Sequence, residues 1–460
     1  MRKELSTPVF LLLALFAYIC IWTSMDFYSL GTLGKLDTTF HEYFYLRKIH
    51  VKLPPIIELL IVLLTFLLYS KGVKERAPMS QAGAFFVGFS LLNFGFVVLN
   101  PNSPLGMLNL LSESLAIFTL TLLLWIYLRV DEEYWVTLTR NVFASMAVLA
   151  VLRAAWALGR FAIGKGTYAF HNFNATMSEG DVLYFMSFLQ LMMLGLWIAT
   201  KDKKYLLGTA LLFLLIIFSF RRTWVALSLF GSIGIVMVNS FMNASFMKRL
   251  VIAGSVLVLF YLLIFQAPAI ISLFGAYGER YSAILYAFRE NPNTGRAGDS
   301  GHQFEATYSM AYALSHLRFF GVGIEGRFPT MIVLEAWSAQ GVHNVYADML
   351  IRHGIMFFLF FISMIVYTIG SFFQLLGRKQ SVPESYFVLK LSVLVYLLLF
   401  YLVLFYNATW FKFDYSKFNF LVVPIFVFLI RFKPEHVPRL LGEKESETAG
   451  IAEAPGETET

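Results

Sequence analysis

Residues 206–238 read LLGTALLFLLIIFSFRRTWVALSLFGSIGIVMV, an apolar run broken only by Arg221 and Arg222, with no glycine or proline beside the pair to explain a turn. The run is too long for one crossing, since about 20 apolar residues span a bilayer. It therefore reads as two membrane helices folded back on each other. Two adjacent guanidinium groups are expensive in hydrocarbon unless paired or wetted, so the bend between the helices belongs at a membrane surface. Further apolar stretches recur on both sides, among them Pro8 to Trp22, Ile56 to Tyr69 and Val251 to Phe265. The chain is 58% hydrophobic and 14% charged, with a mean hydropathy of +0.68, whereas soluble domains carry about 25% charged residues. Composition thus excludes an ordinary soluble enzyme.

Taken together, the apolar runs predict an all-α polytopic membrane protein of about 12 spans, at residues 8–23, 55–70, 82–99, 105–128, 136–158, 181–199, 205–220, 222–239, 249–266, 354–376, 386–406 and 417–431. The first run follows Arg2 and Lys3 but has no small-residue cleavage site before Trp22, so it reads as a retained helix rather than a signal peptide. Cys20, the single cysteine, lies inside it and leaves neither an intramolecular disulfide nor a cysteine-based metal site.

Orientation follows from the basic residues of short loops. Lys71, Lys74 and Arg76, then Lys201, Lys203 and Lys204, then Lys248 and Arg249, then Arg378 and Lys379 fall on one side, which is predicted to be cytoplasmic together with both termini. A fifth loop on that side, with Arg129 beside Asp131, Glu132 and Glu133, supports the assignment less strongly. The organisation is then spans one to nine over residues 1–266, an outer segment over 267–352, the last three spans over 353–433 and an acidic cytoplasmic tail over 434–460. From Gly442 onward the tail sets six glutamates against Lys444 alone and reads as disordered. Removing its net −5 from the chain's +7 leaves +12. That excess suits anionic lipid headgroups or a phosphorylated substrate better than nucleic acid.

The outer segment exceeds any ordinary connection between helices, and its aromatic, partly helical character predicts a helical cap on the outer membrane surface. Arg280, Arg289, Arg296, Arg318 and Arg327 concentrate there, on the face that bulk positive charge avoids. A bound anion accounts for them. Arg222, opening its helix, makes an anion site of that helix start; the alternative, snorkelling of the arginine pair to headgroups, runs against the positive-inside bias on this face. Arg153 and Arg160, seven residues apart, share one helix face at the outer boundary, as anion ligands or as an interhelical structural bridge. His343 and Asn344 begin HNVYADMLIRHGIMFFLFF, a polar helix start leading into a span. The helix dipole there disfavours an imidazolium, which leaves His343 neutral and proton-accepting. That is a general base's requirement, though a lone histidine is more often structural. Tyr308, Trp337 and Tyr346 are aromatic surfaces on which a sugar ring can stack. Asp299, Asp348 and Asp414 are isolated in sequence, so no metal site is expected on this face.

The order of these features is twelve spans, an arginine in FSFRRTWVAL, a long outer loop between spans nine and ten, a G-V-G turn within FFGVGIEGRF, then HNVYADMLIRHGI. It resembles the O-antigen ligase and O-antigen polymerase superfamily of bacterial surface-polysaccharide enzymes. The likeness covers about residues 205–360 by motif and the whole chain by topology. In that family an S-R-T-like arginine after span seven resembles Arg222, a loop arginine upstream of the histidine resembles Arg296, and H-N-x-Y resembles His343 to Tyr346. The serine before the arginine is Arg221 here, which leaves open which of the two meets phosphate.

The resemblance implies a GT-C-type glycosyltransferase of the bacterial inner membrane, active on the periplasmic face. It would move a glycan from undecaprenyl diphosphate to a hydroxyl of lipid A-core or of a second lipid-linked glycan, without cofactor, nucleotide or metal. His343 would be the base. Arg222 and Arg296, with Arg221 or Arg289, would bind the diphosphate, and Asn344, Tyr346, Arg153 and Arg160 would be accessory. Two other readings remain open on the residues alone. One is a transporter or flippase of lipid-linked sugars, against which no matching halves are found. The other is a metal-assisted transferase using Asp37 and Glu42.

Overall fold

The computed structural model describes residues 45–46, 51–72, 77–99, 107–132, 134–144, 147–148, 180–218, 222–245, 247–248, 251, 254–255, 309–319, 321, 344–404, 419 and 422–441. Apart from an antiparallel ribbon that pairs Tyr45–Leu46 with Val51–Lys52, its elements are helices. They are α1 (Leu53–Gly72), α2 (Gln81–Val98) and α3 (Met107–Arg129), then helical residues 134–144, then α4 (Gly180–Thr200), α5 (Lys203–Phe218) and α6 (Arg222–Asn243). Beyond these come α7 (Val345–Arg352), α8 (Gly354–Gly377), α9 (Glu384–Val403), α10 (Val423–Arg431) and α11 (Val437–Leu441).

Among the described residues five helices are long and apolar enough to cross a membrane: Gln81–Val98, Leu183–Thr200, Trp224–Asn243, Gly354–Gly377 and Glu384–Val403. The chain is therefore a helical membrane protein. The expected span at 8–23, residues 149–158 of the one at 136–158, most of the one at 249–266, most of the outer segment 267–352, and the acidic tail beyond Leu441 lie outside the described residues.

The helices alternate in direction, which gives the bundle two distinct ends. At one, the Tyr69 hydroxyl of α1 donates to the Arg129 carbonyl at the end of α3, and Arg431 Nη1 of α10 donates to the Tyr127 carbonyl at 2.8 Å. Asn243 at the end of α6 donates to the Glu384 carboxylate at the start of α9, at 3.3 Å. Lys201, Lys203, Lys204, Arg378, Lys379 and Lys433 fall at this basic end, because each follows or precedes a helix terminus that lies there. At the other end the start of α4, the start of α6 and the last turns of α9 meet through Tyr184, Trp224 and Phe400.

Helices α4 and α9 are the centre of the bundle, enclosed over most of their length, while α2, α6 and α8 present much of their surface outward. Helices that are apolar on all faces belong in such positions. Leu207 of α5 and Phe373 of α8 are more than half exposed, which water would penalise and lipid does not. Lipid supplies no hydrophobic drive between helices, so their association relies on close packing and on hydrogen bonds. Both are present. Gly195 of α4 lets Ser392 of α9 approach its backbone closely. Ser187 and Ser228 bond between α4 and α6 at 3.0 Å, and Ser90 and Thr121 between α2 and α3 at 2.7 Å. Thr65, Thr368 and Ser392 return their hydroxyl protons to carbonyls one turn back, leaving no donor facing hydrocarbon.

Candidate functional site

Helix α7 follows directly on His343 and is capped by Asn344, whose extended backbone lets Oδ1 accept from the amides of Tyr346 at 3.0 Å and Ala347 at 3.2 Å. This is the usual device for satisfying the first free N–H groups of a helix. The helix is then pinned to the end of α9 twice. The Val345 amide donates to the Leu404 carbonyl at 3.2 Å, and the Tyr346 hydroxyl donates to the Tyr401 carbonyl at 2.6 Å. Seven of the eight residues of α7 are buried, so it is an internal strut and has no solvent face.

Inside that strut lies an ion pair. Arg352 Nε is 2.5 Å from Asp348 Oδ1, at 3% and 0% exposure. Desolvating two charges costs several kcal/mol per ion, and intramembrane or interfacial charges of this kind concentrate at functional places. His353, also buried, ends the helix by donating its amide to the Met349 carbonyl at 2.9 Å and packs its ring against Phe357. Gly354 then adopts φ 79°, which turns the chain into α8.

Residues 309–319 and Gly321, part of the predicted cap, lie against this junction. Ala313 packs with Ala347, Leu350 and Ile351 of α7, and the Ile355 amide donates to the Arg318 carbonyl at 3.0 Å. Gly321 sits so close to the Arg352 carbonyl and the His353 amide that a Cβ there would overlap them. Phe319 reaches across to Phe96 of α2 with ring centroids 4.8 Å apart.

An aromatic bridge ties α7 to the helix that begins with the paired arginines. Trp224, two residues into α6, meets Tyr184 edge-on with centroids 6.1 Å apart, and Tyr184 meets Phe400 at 4.7 Å. Phe400 adjoins Tyr401, whose carbonyl holds Tyr346. The start of α6 and the start of α7 therefore share the end of the bundle opposite the basic loops. Trp224 is buried, and its indole N–H has no hydrogen-bond partner among the described residues.

Of the residues singled out from sequence, Arg222 is the first residue of α6, and Asn344 and Tyr346 open α7. The side chain of Arg222, and all of Arg221, Arg153, Arg160, Arg289, Arg296 and His343, lie outside the described residues, as do Asp37, Glu42, Tyr308 and Trp337. Tyr346 packs its ring against Phe361 and Phe358 and bonds its hydroxyl to α9, which ties α7 to that helix. Asp348, which has no second carboxylate near it in sequence, is the partner of Arg352. The four-residue spacing that places two side chains on one helix face was the available signal, and burial was not.

At the basic end a second polar cluster assembles from distant segments. Lys433 Nζ is 2.8 Å from Glu132 Oε1 and 3.6 Å from Glu435 Oε1, and His436 Nε2 is 3.6 Å from Glu132 Oε2. Glu132, Glu435 and His436 bring three potential ligand atoms within 4.8 Å of one another. Their bonding does not suit an ion. His436 Nδ1 accepts the Lys433 amide at 3.2 Å, so the neutral ring carries its proton on Nε2, the nitrogen that would have to ligate. Burial holds the His436 pKa below 6.5 against the pull of Glu132, and the hydrogen bond from Lys433 holds the Glu132 carboxyl below its usual value. The cluster is an ion-pair knot joining the loop after α3 to the end of α10.

No family model matches the chain, and no curated protein or solved structure is similar enough to be matched to it.

Proposed function

We propose that the protein is a membrane glycosyltransferase that moves a glycan from undecaprenyl diphosphate to an acceptor hydroxyl, as an O-antigen ligase or surface-polysaccharide polymerase does. The observation that carries the reading is the aromatic bridge from Trp224 through Tyr184 and Phe400 to Tyr401 and Tyr346. It brings the helix beginning at Arg222 and the helix following His343 to one end of the bundle, beside part of the cap and away from the lysine-rich loops. Positive-inside bias makes that the periplasmic end.

A diphosphate-linked sugar is already activated, so two tasks remain. Arg222 and Arg296, with Arg221 or Arg289, stabilise the charge that builds on the departing diphosphate. His343, neutral at a helix start, takes the proton of the acceptor hydroxyl as its oxygen attacks the anomeric carbon. The new bond forms on the face opposite the leaving group, so the configuration inverts. Neither task needs a metal or cofactor. The acceptor is lipid A-core in the ligase form and a lipid-linked glycan in the polymerase form. In this scheme Asn344, by capping α7, fixes the backbone that carries the base.

The test is transfer by purified protein in detergent from a lipid-linked glycan to a hydroxyl acceptor. His343→Ala is expected to abolish transfer with membrane insertion unchanged, and Arg222→Ala and Arg296→Ala each to slow it about a hundredfold, the cost of one lost contact to a developing oxyanion. Full activity in the His343 variant overturns the proposal. Absence of turnover in the wild type, with movement of the lipid-linked glycan across vesicles, assigns the protein to transport instead.

A further inference from the structure

A cavity of about 570 Å³ lies between α4, α5, α6 and the segment that carries Val251 and Ser255, away from the proposed active site. Its volume is that of an ordinary small-molecule pocket, about 300–1,000 Å³, and its lining is mostly apolar. Leu206 of α5 and Ser240 of α6 line its outer part, and Phe213, Leu229 and Gln190 its inner part. From Ser240 to Leu229 is ~16 Å along a helix at 1.5 Å per residue. The hydrocarbon of one leaflet is about 15 Å deep, half of a ~30 Å core. The slot thus runs from the basic end to near the bilayer midplane and stops there.

The floor is polar and defined. Gln190 Nε2 donates to Ser232 Oγ at 2.8 Å, and Ser232 in turn donates to the Ser228 carbonyl at 2.7 Å. Ser232 has one proton and has already given it away, so the amide orientation is set: nitrogen toward Ser232 and oxygen elsewhere. Gln190 is 1% exposed, and its Oε1 has no hydrogen-bond partner among the described residues. This bonded pair closes the inner end of the cavity between α4 and α6.

The mouth is cationic. Lys203 precedes Leu206 by less than one helical turn, Lys201 lies in the same loop, and Lys248 precedes Val251, another lining residue. Asp202 pairs with Lys204 at 2.8 Å, and Lys201, Lys203 and Lys248 are further exposed cations, among the described residues, in the segments that lead to the opening. Positive-inside bias puts this end at the cytoplasmic leaflet, where anionic lipids attract clustered lysines.

We infer that the cavity holds one acyl chain of an anionic phospholipid from the cytoplasmic leaflet, with its phosphate on Lys201, Lys203 and Lys248 and its methyl end above Gln190. The charge at the mouth, the one-leaflet depth and the apolar walls each match that occupant. The site does not depend on the glycan-transfer reading.

The experiment reconstitutes the full chain in nanodiscs of equal phosphatidylglycerol and phosphatidylcholine, then counts retained lipids by native mass spectrometry after detergent release. One phosphatidylglycerol per chain is expected to survive, and raising the salt is expected to reduce that preference. Neutralising the three lysines to glutamine should cost about fivefold in phosphatidylglycerol preference for each, with chain retention otherwise equal for both lipids. Ser240→Phe should remove the bound lipid, while Leu207→Phe, on the lipid-facing side of α5, should keep it. Equal retention of both lipids by the wild type overturns the inference, as does retention unchanged in Ser240→Phe, or a polyprenyl phosphate recovered in place of the phospholipid. Because the lysine variants alter surface residues alone, they decide the charge argument even if Ser240→Phe fails to fold.

Discussion

Asp348 and Arg352 are four residues apart on a helix that has almost no exposed surface, and the ion pair they form is the most costly feature of that helix to assemble. Removing one partner strands the other charge out of water. The expected outcome for Asp348→Asn or Arg352→Met alone is a loss of about 3–5 kcal/mol, the typical cost of breaking a buried pair, read as a lowered melting temperature in detergent. The double variant should recover a substantial part of that loss, because it leaves no buried charge behind. A double variant no better than the worse single one would mean that the pair's value lies in shape rather than in charge. The same reasoning separates this pair from Asp202 of the α4–α5 loop and Lys204 in the first turn of α5, where both groups are solvated and exposed pairs contribute little.

The joint between α7 and α8 shows how one sequence can place two helices end to end without making them one. Asn344 starts α7 by accepting two amides, and Gly354 stops it from continuing straight by taking a positive φ. Asn344→Ala should cost about 1 kcal/mol through the lost cap. Gly354→Ala should cost about 1–2 kcal/mol, since a Cβ disfavours left-handed backbone. Melting temperatures of the two variants check both values. A further reading is specific to the joint: if it holds the base in place, each variant lowers transfer rate more than acceptor or donor affinity. Gly321, pressed against the Arg352 carbonyl, adds a third constraint from the cap side. Together these explain why the segment HNVYADMLIRHGI carries more polar residues than a membrane span requires.

Across the bundle, alternating helix directions put every described basic loop at one end and α7 with residues 309–319 and Gly321 at the other. Sidedness then has a direct test. In a Cys20→Ser background, Lys203→Cys is expected to resist a membrane-impermeant thiol reagent applied to right-side-out vesicles, and Ser315→Cys to react. The reverse pattern would invert the orientation and put the proposed site at the wrong membrane surface for an acceptor outside the cell.

Much of this architecture was legible before any coordinates. The long described helices fall on runs that hydropathy marked, such as Gly354–Gly377 and Glu384–Val403, because a helix in lipid must satisfy its own backbone and be apolar over a fixed length, both of which are local properties. The start of α6 at Arg222 and the start of α7 after His343 were readable for the same reason: each is a polar interruption at the edge of an apolar run. Contacts between remote segments were not readable. Arg431 reaches the Tyr127 carbonyl and the Trp135 ring, Lys433 pairs with Glu132, and the Tyr346 hydroxyl settles on the Tyr401 carbonyl. Which helices are central, where a cavity is left among them, and which charges end up out of water depend on packing between residues tens to hundreds of positions apart, and no periodicity along one chain encodes it.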